Sequence, residues 1–320
     1  MRAYIIRRVL LIIPTLLLVT IVVFLTVRLV PGSVIDLMVA ERGGGQGTGI
    51  AMDINAIRHS MGLDQPVYVQ YGRWMWDLLH GDLGKSLWTR RSVSEELGQR
   101  LIVTFELGFL AFIIAQLIAL PIGIYSAIRQ DTAGDFIGRS FAIMCIAVPS
   151  FWLGTMVMVF PSIWWNWSPP AKYITFVADP MQNLQLFIIP AILLGMSMSG
   201  TTMRMLRTTM LEVLRQDYIR TAWSKGLRER VVILRHGLKN ALIPVVTLIA
   251  GQIPVMIGGA VIIEQIFNLP GMGRLFLDSI MSRDYPYVQG INVFLAVIGM
   301  FIILATDLSY AYLDPRIRYR

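Results

Sequence analysis

Residues Val9–Val27 read VLLIIPTLLLVTIVVFLTV, nineteen residues without a charge, bounded by Arg8 and Arg28. A helix of about 20 apolar residues crosses the roughly 30 Å hydrocarbon core of a bilayer, so this stretch predicts a membrane span. It exceeds a signal-peptide h-region and lacks a small-residue cleavage site, so it is expected to remain as an anchor. Working outward, five more charge-free runs follow: Leu107–Ile128, Ser140–Ala171, Met181–Met203, Asn240–Ile263 and Tyr285–Thr306. The third has 32 residues, and a span is expected over its first two-thirds. The composition agrees. Of 320 residues 55% are apolar and only 15% charged, against roughly 25% charged in soluble domains. One cysteine, Cys145, excludes an intrachain disulfide or a multi-cysteine metal centre.

Orientation is read from Lys and Arg, which accumulate in cytoplasmic loops. In a six-span chain one side holds Arg2, Arg7 and Arg8, then Arg129 and Arg139, and finally Arg316, Arg318 and Arg320. The same side holds nine more between spans 4 and 5: Arg204, Arg207, Arg215, Arg220, Lys225, Arg228, Arg230, Arg235 and Lys239. The short loops opposite hold Lys172, Arg274 and Arg283, and Arg28 can snorkel to the outer interface. Both termini are therefore expected in the cytoplasm. Residues 1–30 form the N-tail and span 1, 31–100 an external insertion, 101–312 the core of spans 2–6, and 313–320 the C-tail. The insertion has a flexible tip at Glu41–Gly47 and then Val67, Trp74, Trp76, Leu78 and Leu79, enough apolar surface for a small ordered element. Residues 204–240 predict two or three short amphipathic helices.

Chemistry is sparse. Gly84-Lys85-Ser86 ends like a phosphate-binding loop, but Leu79 stands where its first glycine belongs, and the segment is external. His59, His80 and His236 are scattered, which gives no zinc set. Hydrolase motifs are missing, and Asn166-Trp167-Ser168 is a sequon of the kind chance supplies. No catalytic residue, metal or bound cofactor is expected. Ionisable residues near spans are functional candidates. Glu106 and Asp307 fit interface positions. Glu264 follows a Gly258-Gly259 pair and reads either as an external gate or as a structural partner of Arg274. Pro121, Pro149, Pro190 and Pro254 relax helices that bend. The basic loop reads as a positive-inside anchor, a patch for anionic lipid or nucleic acid, or a protein-docking element. Glu212, Asp217 and Glu229 among the bases, with apolar residues at helical spacing, favour docking.

In that loop, Asp217-Tyr218-Ile219-Arg220-Thr221-Ala222-Trp223-Ser224-Lys225-Gly226, then Arg235-His236-Gly237-Leu238-Lys239-Asn240-Ala241-Leu242-Ile243-Pro244, resembles the cytoplasmic "EAA" loop of ABC importer permeases. The likeness is to the dipeptide/oligopeptide branch. Arg28-Leu29-Val30-Pro31-Gly32, Met61-Gly62-Leu63-Asp64-Gln65-Pro66 and Gly81-Asp82-Leu83-Gly84-Lys85-Ser86 resemble its motifs around the external insertion. Glu264-Gln265-Ile266-Phe267, Pro270-Gly271-Met272-Gly273, Arg283-Asp284-Tyr285-Pro286 and Asp314-Pro315-Arg316 match later signatures. Trp223-Ser224 departs from the usual small or basic pair. The insertion points to the B-type partner of two paired permeases.

The resemblance implies an all-α, six-helix type I importer permease fold. It implies half of a translocation path for peptides in a bacterial or archaeal cytoplasmic (inner) membrane. A second homologous permease, two ATP-binding subunits carrying ATP and Mg, and an external substrate-binding protein would complete the machine, with no nucleic acid. The branch also imports sugars, nickel chelates and glutathione; an ion-coupled carrier or channel is the competing class. Under this resemblance Glu212, Asp217, Tyr218, Arg220, Ala222, Lys225, Gly226, Arg235, His236, Asn240 and Pro244 form the ATPase-coupling loop. Gly226 allows the turn after the coupling helix, and Arg235, His236 and Asn240 fasten that helix to span 5. Asp64, Asp82, Lys85, Glu264 and Arg274 are candidates for the external binding-protein contact or gate.

Overall fold

The structure is a computed structural model that describes residues 2–29, 64–170 and 172–313. The expected flexible tip at 41–47, His59 and Asp314–Arg316 lie outside them. The helices, in order, are α1 (Arg2–Leu29), α2 (Val67–Leu79), α3 (Val93–Ile128), α4 (Ala133–Ala147), α5 (Ser150–Trp165), α6 (Pro180–Leu214), α7 (Asp217–Ser224), α8 (Glu229–Val231), α9 (Lys239–Ile266), α10 (Met272–Met281) and α11 (Tyr285–Leu313). A π-helical turn, Val232–Leu238, joins α8 to α9. Among the described residues no strand forms beyond a single bridge between Lys85 and Ser92.

Two compact units form, one drawn from within 1–101 and 275–301, the other from within 102–274 and 302–318. In the first, α1 is the most lipid-like element: 17% of its span window is buried. In the second, α6 is central, with 67% of its window buried. Small residues make that centrality possible. Ala111, Ala115 and Ala119, four apart on α3, are each fully buried. Gly195 of α6 lies so near that an added Cβ would stand 2.6 Å from the Ala111 carbonyl oxygen. At Gly200 the same atom would stand 2.6 Å from the carbonyl of Ala142 on α4. Without a hydrophobic drive between helices in lipid, close backbone approach of this kind is what packs spans.

Two elements differ from the sequence reading. The run Ser140–Ala171 does not make one straight span: α4 and α5 meet at 89°. Pro149 is the reason, because a residue before proline is pushed out of the α region, and Val148 is extended at φ −83°, ψ 121°. The segment after span 4 does not break into short helices at once. Instead α6 continues to Leu214, about 52 Å in all for its 35 residues at 1.5 Å each. Leu206 and Met210 are fully buried on that extension, next to Ala241 and Val245, so the apolar period simply runs on.

Candidate functional site

The loop between the fourth and fifth long helices is built around α7. Its sequence puts Ile219 and Ala222 on one face, and both are buried against Leu214 and Val232. The other face is in the open: Asp217, Tyr218, Arg220 and Trp223 are exposed, as are Leu227, Val231 and Leu234 farther on. Asp217 and Arg220 stand 3.6 Å apart with both side chains almost fully solvated, a pair worth little to stability. The helix ends at Lys225, and Gly226 follows at φ +71° with open space where a Cβ would go. Its demand for glycine is thus conformational, since L-residues lose about 1–2 kcal/mol in the left-handed region.

Asn240, at the start of α9, donates through Nδ2 to the Tyr218 hydroxyl (2.9 Å) and to the His236 carbonyl (3.1 Å). The structure therefore brings Tyr218 and Asn240 together across 22 residues. His236 and Pro244 are half-buried; Glu212, Lys225 and Arg235 are exposed. Gly237, in the π turn, packs 3.3 Å (at Cβ) from Leu214.

A buried charge cluster that the sequence reading did not single out lies in the same unit. Asp135 of α4 is fully buried and accepts two bonds from Arg207 of α6, from Nε and Nη2, each 2.8 Å. Ser126 Oγ donates to Oδ1 at 2.5 Å and the Asp131 amide to Oδ2 at 3.0 Å. Arg139 Nε stands 3.6 Å away. The carboxylate thereby ties α3, α4 and α6 together at one end.

The external candidates fall into two places. Asp64, Asp82 and Lys85 are exposed residues of the first unit. Asp82 accepts the Gly84 amide at 2.8 Å, and Gly84 sits at φ +85°. The turn carries Ser86 inward, where its hydroxyl donates to Asp284 Oδ2 (2.5 Å); the Leu87 amide donates to Oδ1 (3.1 Å). Trp88 Nε1 reaches the Ser282 carbonyl at 2.8 Å. Burial pushes the Asp284 carboxyl up, while the bonds from Ser86, Leu87 and Trp88 pull it back. Two motifs 198 residues apart thus make one joint.

Glu264 and Arg274 belong to the second unit. Glu264 is fully buried. Thr104 donates to its Oε1 at 2.6 Å, the Arg274 amide donates to Oε2 at 3.0 Å, and Thr104 itself accepts the Met272 amide at 2.8 Å. The Glu264 carboxylate and the Thr104 hydroxyl so satisfy one early amide of α10 each, Arg274 and Met272, which helix geometry leaves without partners. The Arg274 guanidinium bonds Asn268. The close approach sits at Gly271, where a Cβ would run into the Glu264 carboxylate, and at Gly273, against Val261; Gly258 has open space. Among the described residues, no three His, Cys, Asp or Glu side chains assemble as a metal site.

Among the described residues, five helices, or six if the bent pair α4–α5 is one span, are long and apolar enough to cross a membrane, which is the make-up of a polytopic membrane protein. The chain belongs to the binding-protein-dependent transport system inner membrane component family, whose model matches residues 119–319, with the N-terminal component of the same systems matching residues 1–108. It is thus a multi-pass inner membrane permease subunit of a binding-protein-dependent ABC importer, in a family of transport components rather than enzymes. It is 40% identical, over 100% of both chains, to a putative peptide transport system permease protein of Brucella abortus strain 2308. It is 38% identical to the glutathione transport system permease protein of Salmonella typhi, over 99% of each. The crystal structure of an amino acid ABC transporter with histidines matches with TM-score 0.51, at 16% identity, over 70% of this chain and 95% of that one. That likeness supports the type I importer fold.

Proposed function

We propose that this subunit forms half of a path for short peptides, paired with a second permease and driven by two cytoplasmic ATPases through residues 204–240. The observation that carries the reading is α7: buried at Ile219 and Ala222, tied by Tyr218 to Asn240, and bare at Arg220 and Trp223. A helix held so firmly on one side passes a push from a partner's groove into α6 and α9 as rigid-body motion. Glu212, Asp217, Lys225 and Arg235 flank the groove contact, and Gly226 sets the turn behind it. ATP and Mg belong to the partner subunits, an external protein delivers substrate to the Asp64, Asp82 and Lys85 side, and both termini are cytoplasmic in a bacterial or archaeal cell. Peptide is preferred because relatives at 40% identity are named for it; glutathione, itself a small peptide, is the second reading, from relatives at 38%.

The test is reconstitution of the full complex in liposomes, with uptake and ATP hydrolysis measured together. Gly226→Asp, and Arg220→Glu combined with Lys225→Glu, are expected to leave ATP hydrolysis while abolishing uptake. Unchanged uptake in both refutes the coupling role. Competition by unlabelled dipeptides, but not by sugars or metal chelates, is the expected substrate profile; competition by glutathione alone selects the second reading.

A further inference from the structure

The insertion after span 1 reads as an element outside the membrane, yet α2 sits where its neighbours on α1 are still apolar. The span window of α1, Leu10–Leu29, has 20 residues, about 30 Å at 1.5 Å per residue, which is the thickness of the hydrocarbon core. Against the Leu29 end of that window α2 makes three contacts. Arg28 donates to Gln70 Oε1 at 2.5 Å and stacks 3.5 Å over the Phe24 ring. Phe24 meets Tyr71 edge-on at 5.2 Å and Trp74 at 5.6 Å. The Tyr71 hydroxyl shares a 3.1 Å hydrogen bond with Thr20. Phe24 and Thr20 lie four and eight residues before Arg28, so these contacts reach about 6 and 12 Å along the helix axis below it. A helix bound at those levels is at the depth of the interface and the outer acyl chains.

The pattern of α2 agrees with that depth. It has 13 residues and none is buried, so it is too short to span. Tyr68, Met75 and Leu79 share one strip, and Tyr68 and Leu79 are 77% and 75% exposed. Arg73 and Asp77, on the opposite side, are also exposed. Gln70, Tyr71 and Trp74 between them take α1. Such a helix in water would leave its whole apolar strip wet, whereas an interfacial helix buries that strip some 5–10 Å into the headgroup–acyl boundary. Aromatic residues suit that level. Between α1 and α2 runs a crevice of about 420 Å³ lined by Ile21, Phe24, Leu25, Val67, Tyr68 and Tyr71. Its walls are apolar or aromatic, and they continue the exposed apolar surface of α1 at Leu18, Val22 and Leu25.

We propose that α2 lies in the membrane interface at the Leu29 end of α1, Arg73 and Asp77 toward water, and that the α1–α2 crevice holds an acyl chain of a phospholipid from that leaflet. The ligand class is a diacyl phospholipid, recognised by its hydrocarbon. The proposal requires only that α1 spans the bilayer, and it stands or falls apart from the identity of the transported solute.

Nitroxide labels at Tyr68→Cys, Leu79→Cys and Arg73→Cys, in the assembled complex in bilayers, test it; Cys145 is buried and is replaced by Ala in the background. Collision rates with oxygen and with a water-soluble nickel chelate are compared. Oxygen should exceed nickel at 68 and 79, and the ratio should reverse at 73. Equal, nickel-dominated ratios at all three sites place α2 in water and overturn the proposal. Low accessibility to both reagents at 68 and 79 means that protein, rather than lipid, covers the strip, and overturns it too. A photoactivatable phospholipid in the same bilayers gives a check without labels: adducts on Tyr68, Met75 or Leu79 support the assignment, and adducts on α1 alone refute it.

Discussion

Removing Arg207 is the sharpest probe of the inner cluster. Asp135 has no exposed surface, and the Arg207 side chain is 17% exposed. Breaking a buried, hydrogen-bonded ion pair from one side costs about 3–5 kcal/mol, since an uncompensated charge is left behind. The structure decides where in that range each variant falls. With Arg207→Met, Asp135 keeps the Ser126 hydroxyl and the Asp131 amide, and Arg139 stands 3.6 Å off with its Nε buried and not hydrogen-bonded. A small shift of Arg139 supplies a replacement cation, so the cost should be near 3 kcal/mol. With Asp135→Asn, by contrast, two guanidinium groups face one neutral amide, and the cost should lie near 5 kcal/mol. For a chain of this size each kcal/mol lowers the midpoint by about 2 °C, giving shifts of about 6 °C and 10 °C. The double variant Asp135→Asn with Arg207→Met should lose less than the sum of the singles, because it leaves only the 37% exposed Arg139 without its carboxylate, in place of two guanidinium groups. Thermal unfolding of the purified complex in detergent, followed by intrinsic fluorescence, reads all three. An Asp135→Asn shift smaller than that of Arg207→Met, or strictly additive singles, would refute the reasoning.

Gly200→Leu places carbon where the Ala142 carbonyl already stands, 2.6 Å from the first added atom; overpacking costs of about 1–3 kcal/mol should appear as a midpoint several degrees lower, while Gly258→Ala, in open space, should be nearly silent in the same measurement. Burial raises the Asp284 carboxyl above its ordinary value, so its contribution to stability is complete below about pH 4 and fades as pH rises through the raised value. Amide exchange at Leu87, corrected for its intrinsic pH dependence, should therefore report a weaker joint at pH 8 than at pH 4 in the wild type, a trend that Asp284→Asn abolishes. A wild-type joint that tightens with pH would contradict this sign.

Much of the fold was legible because a membrane span is a local signal. Six charge-free runs mark the long helices, and their ends stand within a few residues of charges such as Arg8, Arg28, Arg129 and Asp284. Pro149 marks the break in the third run, but 32 charge-free residues do not by themselves say where a chain turns. The extension of α6 is hidden in the sequence for the opposite reason. Arg204 and Arg207 end the charge-free run, although Leu206 and Met210 keep the buried period going, and Arg207 points to a buried partner rather than to water. That partner, Asp135, is 72 residues away, and Asp284 is 198 residues from Ser86. Each of these residues looks ordinary in its own segment. Motifs reveal that something is required at Ser86 and Asp284, while the joint between them appears only in three dimensions.

Under the proposed coupling role, the same arrangement would hold the loop firmly on one side and leave the other side for a partner. On its inner face α7 is fixed by apolar contact to Leu214 and Val232, and its exposed Tyr218 accepts a hydrogen bond from Asn240. Leu214 ends α6, whose Arg207 lies two turns earlier and is locked to α4 through Asp135. Asn240 begins α9. In that role a load on Arg220 or Trp223 would enter two long helices together, and the Asp135 cluster would carry part of it to α3 and α4. Bending would fall to the turn at Gly226, where an added Cβ would meet open space, and to the π turn Val232–Leu238, a rare helical form that recurs at functional sites. Stiffening the first of these, by a residue that disfavours positive φ, should alter the response to load without altering the buried root, which is why Gly226 is expected to affect transport far more than stability.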